Sequence, residues 1–129
     1  MARTVVIGIG ATGAATARDA VGLVEKVLVG VADDARPAAI ATIFGRAEHP
    51  AIQAVAGYLG VPVLVFDAAR LEKETPRLLN PSESLFERIG CHGVAEAAAL
   101  AAAGEGAVLL AGKTREGGIT VAVAAPLPQ

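Results

Sequence analysis

The sequence has no tryptophan, one tyrosine and three phenylalanines, although 53% of its 129 residues are hydrophobic. The core therefore has to be built from closely packed alanine, valine, leucine and isoleucine, and a chain of this length can bury one ordinary domain core without metal or disulfide support. A single cysteine, Cys91, excludes an intramolecular disulfide framework and fits a reducing cytoplasm, the expected location. His49, His92 and one thiol, without C-x-x-C or H-x-x-x-H spacing, do not make a metal site, and no cofactor is expected. A surplus of positive charge is missing as well. The net charge is −2 and the basic residues after position 45 are scattered, so nucleic acid is not an expected partner. Nor is there an uninterrupted long apolar run: residues 94–112 come nearest, but Glu96, Gly104, Glu105 and Gly106 break them and alanine inserts weakly, so no membrane association is expected. The glycines near the N-terminus and the helical pattern beyond them do not resemble an export signal. Without a repeat or linker, residues 1–129 are expected to form one domain.

What is present alternates between strand and helix signals. Thr4 to Ile9 is a β-branched run that reads as a buried strand, and Gly13 opens a helix expected to reach about Val27. Asp33 to Pro37 reads as a polar break, Ala38 to Phe44 as a second strand, and Glu48 to Leu59 as a helix with Ile52, Val55, Ala56 and Leu59 at helical spacing, ended by Gly60. Pro62 to Phe66 reads as a third strand and Ala68 to Glu72 as a short helix, followed by a polar connector. Asn80-Pro81-Ser82-Glu83 then predicts another helix start, with Asn80 as cap, Pro81 in the first turn and Glu83 reaching back to the Asn80 amide; Gly90 ends it. A nearly all-alanine helix begins near Val94, and Glu96 is its only charged residue before Gly104. Ala107 to Ala111 and Ile119 to Ala124 read as the last strands, joined through residues 113–118 as an antiparallel hairpin, with residues 126–129 as a loose tail. The expectation is an α/β fold, a three-layer α/β/α sandwich around a mixed sheet of about five strands.

Several residues could carry chemistry. Gly8-Ile9-Gly10-Ala11-Thr12-Gly13 is a G-x-G-x-x-G turn between strand and helix, with Asp33 at the distance of a ribose contact. It admits three readings: an anion cradle at a helix N-terminus, a small nucleotide-binding module, or a structural turn. Glu96 is either a carboxylate favoured by the helix dipole or a base or ligand contact in a cleft. His92 is either a proton donor or ligand contact, or a solvent-facing loop histidine, and Cys91 reads as a small buried hydrophobe. Lys113 and Arg115 either blunt a sheet edge or meet carboxylates of a ligand. The candidate ligand-binding residues are thus Gly8, Gly10, Ala11, Thr12, Gly13, Asn80, Ser82, Glu96 and Lys113, and the candidate acid or base residues are Glu96 and His92.

The segments Asn80 to Glu83, Gly90 to Gly104, Lys113 and Ile119 to Ala124 together resemble the C-terminal domain of the CbiG/CobE family of cobalamin biosynthesis, in its freestanding CobE-like form. Val5 to Gly13 also fits the family's opening strand and glycine turn, although many members carry Cys-Arg where Ala11-Thr12 stands and a lysine where Gly45 stands. The resemblance implies an α/β/α sandwich and a protein that binds or carries a precorrin or corrin intermediate of the oxygen-dependent pathway, alongside other corrin-pathway enzymes. It implies, as an alternative, a hydrolase of the lactone-opening type that releases acetaldehyde from a precorrin. Such macrocycles are apolar in the ring and fringed with carboxylates, which small apolar walls and a cationic rim would suit.

Overall fold

A computed structural model describes residues 3–32 and 34–127. The order is β1 (Arg3–Ala11), α1 (Ala17–Val31), β2 (Ala35–Ile43), α2 (Pro50–Leu59), β3 (Val63–Phe66), α3 (Ala68–Glu72), α4 (Glu83–Ile89), α5 (Ala95–Ala103), β4 (Val108–Glu116) and β5 (Ile119–Ala125). The five strands form one mixed sheet in the order β3-β2-β1-β5-β4, with β1, β2 and β3 parallel and β5 antiparallel to both its neighbours. Helices α1 and α2 cover one face, where Val5, Ile7 and Ile9 of β1 meet Leu23, Val24, Ile52 and Val55. Helices α3 and α5 cover the other, where Val6 and Ala41 meet Leu71, Ala97 and Ala98. The α/β/α sandwich with a five-stranded mixed sheet is the expected architecture. No helix among the described residues is long and apolar enough to cross a membrane.

Alanine explains how α5 fits. A helix apolar on all sides has to be covered on all sides, and residues 95–100 are all buried between the sheet and the segments carrying Leu71, Leu78 and Cys91. Its backbone lies directly on β1: a Cβ at Gly8 would sit 1.8 Å from the Ala95 carbonyl oxygen. Gly8 is therefore where the two elements touch.

Several boundaries depart from expectation for identifiable reasons. β1 continues to Ala11 because β5 pairs with it as far as Ile119, and α1 begins only at Ala17, where the Thr16 hydroxyl accepts the Asp19 N–H at 3.1 Å. Gly13 does not open a helix. β2 starts at Ala35, taking in Arg36 and Pro37; proline is tolerated there because β3 pairs only from Ile40, leaving that edge of β2 free. α2 starts at Pro50, capped by the His49 ring, whose Nδ1 accepts the Ala51 N–H. β4 runs to Glu116, so Lys113 and Arg115 are strand residues, and the hairpin turn is only Gly117-Gly118, both at positive φ as a two-residue turn of this kind requires. Asp33, Pro128 and Gln129 lie outside the described residues, and with them the ribose-contact reading of Asp33 and the end of the tail.

Candidate functional site

The start of α4 is built differently from its sequence reading. Ser82, not Asn80, caps the helix by accepting the Leu85 N–H at 3.2 Å. Asn80 is instead committed to Glu96. Glu96, 2% exposed in the first turn of α5, accepts with Oε1 from the backbone N–H groups of Leu79 at 3.0 Å and Asn80 at 2.9 Å. With Oε2 it accepts from the Asn80 side-chain amide and the Lys113 N–H, both at 2.8 Å. The Lys113 N–H is available because β4 slips register between Ala111 and Thr114, so the backbone there turns from its partner strand. Gly112 packs beside this junction, and a Cβ on it would lie 3.2 Å from Glu96 Oε2. Four donors occupy the lone-pair sites of the carboxylate. Burial pushes the Glu96 pKa up, but the Asn80 amide and the Lys113, Asn80 and Leu79 N–H groups outweigh burial and hold it below the ordinary glutamate value. Glu96 ties α5, the 79–80 segment and β4 together as an ionised acceptor.

This junction forms the base of a cleft of about 540 Å³ outside the carboxyl ends of β1 and β2, the position where open α/β sheets characteristically hold ligands. Gly10, Ala11, Thr12 and Gly13 line one side, and Asn80, Ser82, Glu96 and Lys113 another. Eight of the candidate ligand-binding residues thus share one cavity. Gly8 does not join them, because it is covered by α5. His92 does not line the cleft either: it sits behind α4, its ring stacked on Phe86 with centroids 4.4 Å apart, its Nδ1 2.9 Å from both Glu72 carboxylate oxygens and its Nε2 3.3 Å from Glu83. The Glu72 bond raises the His92 pKa, burial opposes it, and the charges of Glu72 and Glu83 raise it further, leaving it above the ordinary histidine value. Cys91 is fully buried in the core.

The sequence reading missed half of the cleft. Arg46 from the β2–α2 loop and Arg88 from α4 join Lys113 and Arg115 around it, and Phe44, Ile43, Leu85 and Ile89 supply apolar wall. All four cations are exposed, and none makes an ion pair among the described residues. Phe44 is 76% exposed at the mouth. The pattern of α4 holds a usable signal: Leu85 and Ile89 are four residues apart on one helix face, and Arg88 stands beside them.

The G-x-G-x-x-G segment does not have the geometry of a dinucleotide turn. Gly8 lies in a strand paired on both sides and Gly10 in the same strand paired to β5, and neither they nor Gly13 has positive φ. A Cβ at Gly10 would meet Val94 at an ordinary 3.6 Å, and one at Gly13 would meet nothing within 4 Å. Only the first glycine is required by packing.

The fold and cleft define an α/β/α sandwich with a cationic, partly apolar crevice at its strand ends, whose one lining carboxylate among the described residues is saturated with hydrogen bonds. Residues 5–124 match the family described as cobalamin synthesis G C-terminus, and the chain belongs to that family. It is 45% identical over 124 residues to Protein CobE of a Sinorhizobium species, covering 94% of this chain and 79% of that one. The crystal structure of CobE, a protein from the cobalamin (vitamin B12) biosynthetic pathway, superimposes with a TM-score of 0.86 at 32% identity, covering all of this chain and 94% of that one. Cobalamin biosynthesis protein chiG from Agrobacterium tumefaciens gives a TM-score of 0.71 at 28% identity, with 95% and 98% of the two chains covered.

Proposed function

We propose that the cleft binds a precorrin or corrin intermediate of the oxygen-dependent route to cobalamin and carries it between pathway enzymes. The observation behind this reading is the pairing of an apolar wall (Ile43, Phe44, Leu85, Ile89) with four cations (Arg46, Arg88, Lys113, Arg115) that make no ion pair among the described residues, around a single cavity. A macrocycle with an apolar ring and peripheral carboxylates presents the complementary surface, and arginine grips carboxylates through two parallel hydrogen bonds. Kinship with CobE supplies the ring class. A hydrolytic role asks for a free base at the cleft. Glu96 has its lone pairs filled and its pKa lowered, and His92 faces Glu72 and Glu83 behind α4, so carriage is the reading favoured over hydrolysis.

Corrin intermediates of that route, titrated with the protein, should change their visible spectra and co-elute with it. Arg88→Ala and Lys113→Ala should each weaken binding by about 3- to 10-fold, since each removes one exposed charge-assisted contact. Affinity should also fall with added salt. Unchanged spectra and separate elution across the intermediates would overturn the proposal.

A further inference from the structure

Among the described residues, α4 is the α-helix that buries no side chain completely; its two largest apolar side chains besides Leu85, Phe86 and Ile89, stay 41% and 38% exposed. Yet it supplies Ser84, Leu85, Arg88 and Ile89 to the cleft. Pro81-Ser82 lies at one end and Gly90, in the left-handed region at φ 83°, at the other. The hydrogen bond, ring contact and ion pair that join this segment to the body converge on one residue. The His92 carbonyl accepts the Ser82 N–H at 2.8 Å, the His92 ring stacks on Phe86, and its Nε2 faces the Glu83 carboxylate. His92 is in turn anchored to α3, where Glu72 accepts both its backbone N–H at 3.0 Å and its Nδ1–H, and Glu72 is itself steadied by the Thr75 hydroxyl at 2.8 Å.

We propose that α4 is a lid over the cleft, hinged at residues 81–82 and at Gly90, and latched shut when a protonated His92 bridges Glu72 on the body to Glu83 on the lid. The lid rests on the proposed cleft reading only for what it closes over. The logic of the latch is one of proton count. A carboxylate at 2.9 Å from Nδ1 requires that nitrogen to carry a proton, so the second proton of the imidazolium is the one on Nε2. Loss of that proton leaves an Nε2 lone pair opposite the Glu83 carboxylate, and attraction becomes repulsion. Among the described residues Glu72 from α3 and Glu83 from α4 are the charged groups facing His92, and the adjoining Cys91 thiol is kept neutral by burial, which raises its pKa. Glu72 draws the His92 pKa above its ordinary value, so the latch is fully made below that ordinary value and is lost as pH rises through the folded one. Glu83 is 86% exposed, so the latch biases the lid severalfold rather than fixing it.

Amide exchange of α4 in the ligand-free full chain, followed by NMR and corrected for intrinsic rates, tests this alongside the His92 ring nitrogen shifts. Protection of the Phe86 to Gly90 amides should fall severalfold in step with His92 deprotonation, and Glu83→Gln should abolish the step while His92 still titrates. A flat protection profile through the His92 titration, or a Glu83→Gln variant that keeps the step, would overturn the latch. Since no ligand is present, these outcomes are independent of the spectral titration. A working latch with no corrin binding would sink the proposed function and leave the lid standing.

Discussion

Gly8→Ala should destabilise the domain by at least ~3 kcal/mol, read as a large drop in the denaturant midpoint, because its Cβ would enter the backbone of α5. The contacts are 1.8 Å to the Ala95 carbonyl oxygen and 2.8 Å to the Ala99 N. Neither atom can rotate away as the end of a side chain could. Relief requires lifting α5 from β1, which uncovers Val6 and Ala41 on the sheet and moves the first turn that carries Glu96. Gly10→Ala and Gly13→Ala supply the contrast, since the first meets Val94 at ordinary contact distance and the second meets open space. Both should stay within about 1 kcal/mol of the parent. A Gly8→Ala protein as stable as these two would mean that α5 does not ride on β1 as described.

The glycine series also shows why the fold was more legible in the sequence than the site. Strand and helix signals are local: the β-branched run at residues 4–9, the 3.6-residue spacing of Ile52, Val55 and Leu59, and the stop at Gly60 each predict their own element. The use of a residue at a tertiary junction is not local. Asn80 has the chemistry of a helix cap, but Glu96 offers its amide a buried ionic acceptor and Ser82 takes over the cap. In the sequence Lys113 stands out for its ammonium group, whereas the junction uses its backbone N–H, freed by a register slip in β4 that no side-chain pattern encodes. Arg46 and Arg88 are far apart in sequence and share a cleft only because the β2–α2 loop and α4 both border it. In the sequence His92 stands out for its pKa range, but its partner Glu72 lies 20 residues away on α3.

Glu96→Gln should destabilise the protein by ~2–4 kcal/mol, although the two side chains have the same shape. The Leu79 and Asn80 backbone N–H groups both point at Oε1 and cannot reverse, so the glutamine oxygen has to stay there. Its NH₂ then occupies the place of Oε2, facing the Lys113 N–H and the Asn80 amide. Asn80 can turn over and present its own oxygen. Lys113 cannot, and a buried donor is left against a donor, with the ionic strength of all four bonds lost. The parent carries the matching acid signature. Because folding holds the Glu96 pKa below the ordinary 4.5, the stability it contributes is present above that value and is lost as pH falls through the lowered one, and Glu96→Gln should flatten this acid limb. Melts of both proteins from pH 7 to pH 3 decide the point. If Glu96→Gln melts like the parent at neutral pH, the carboxylate is not the clamp of this junction. If it melts lower and also binds corrins less well, the loss at the cleft follows from displacement of residues 79–80 and 113 rather than from a missing base. Arg88→Ala separates the two effects, because it removes a cleft cation from an exposed helix and should weaken binding with the melt unchanged.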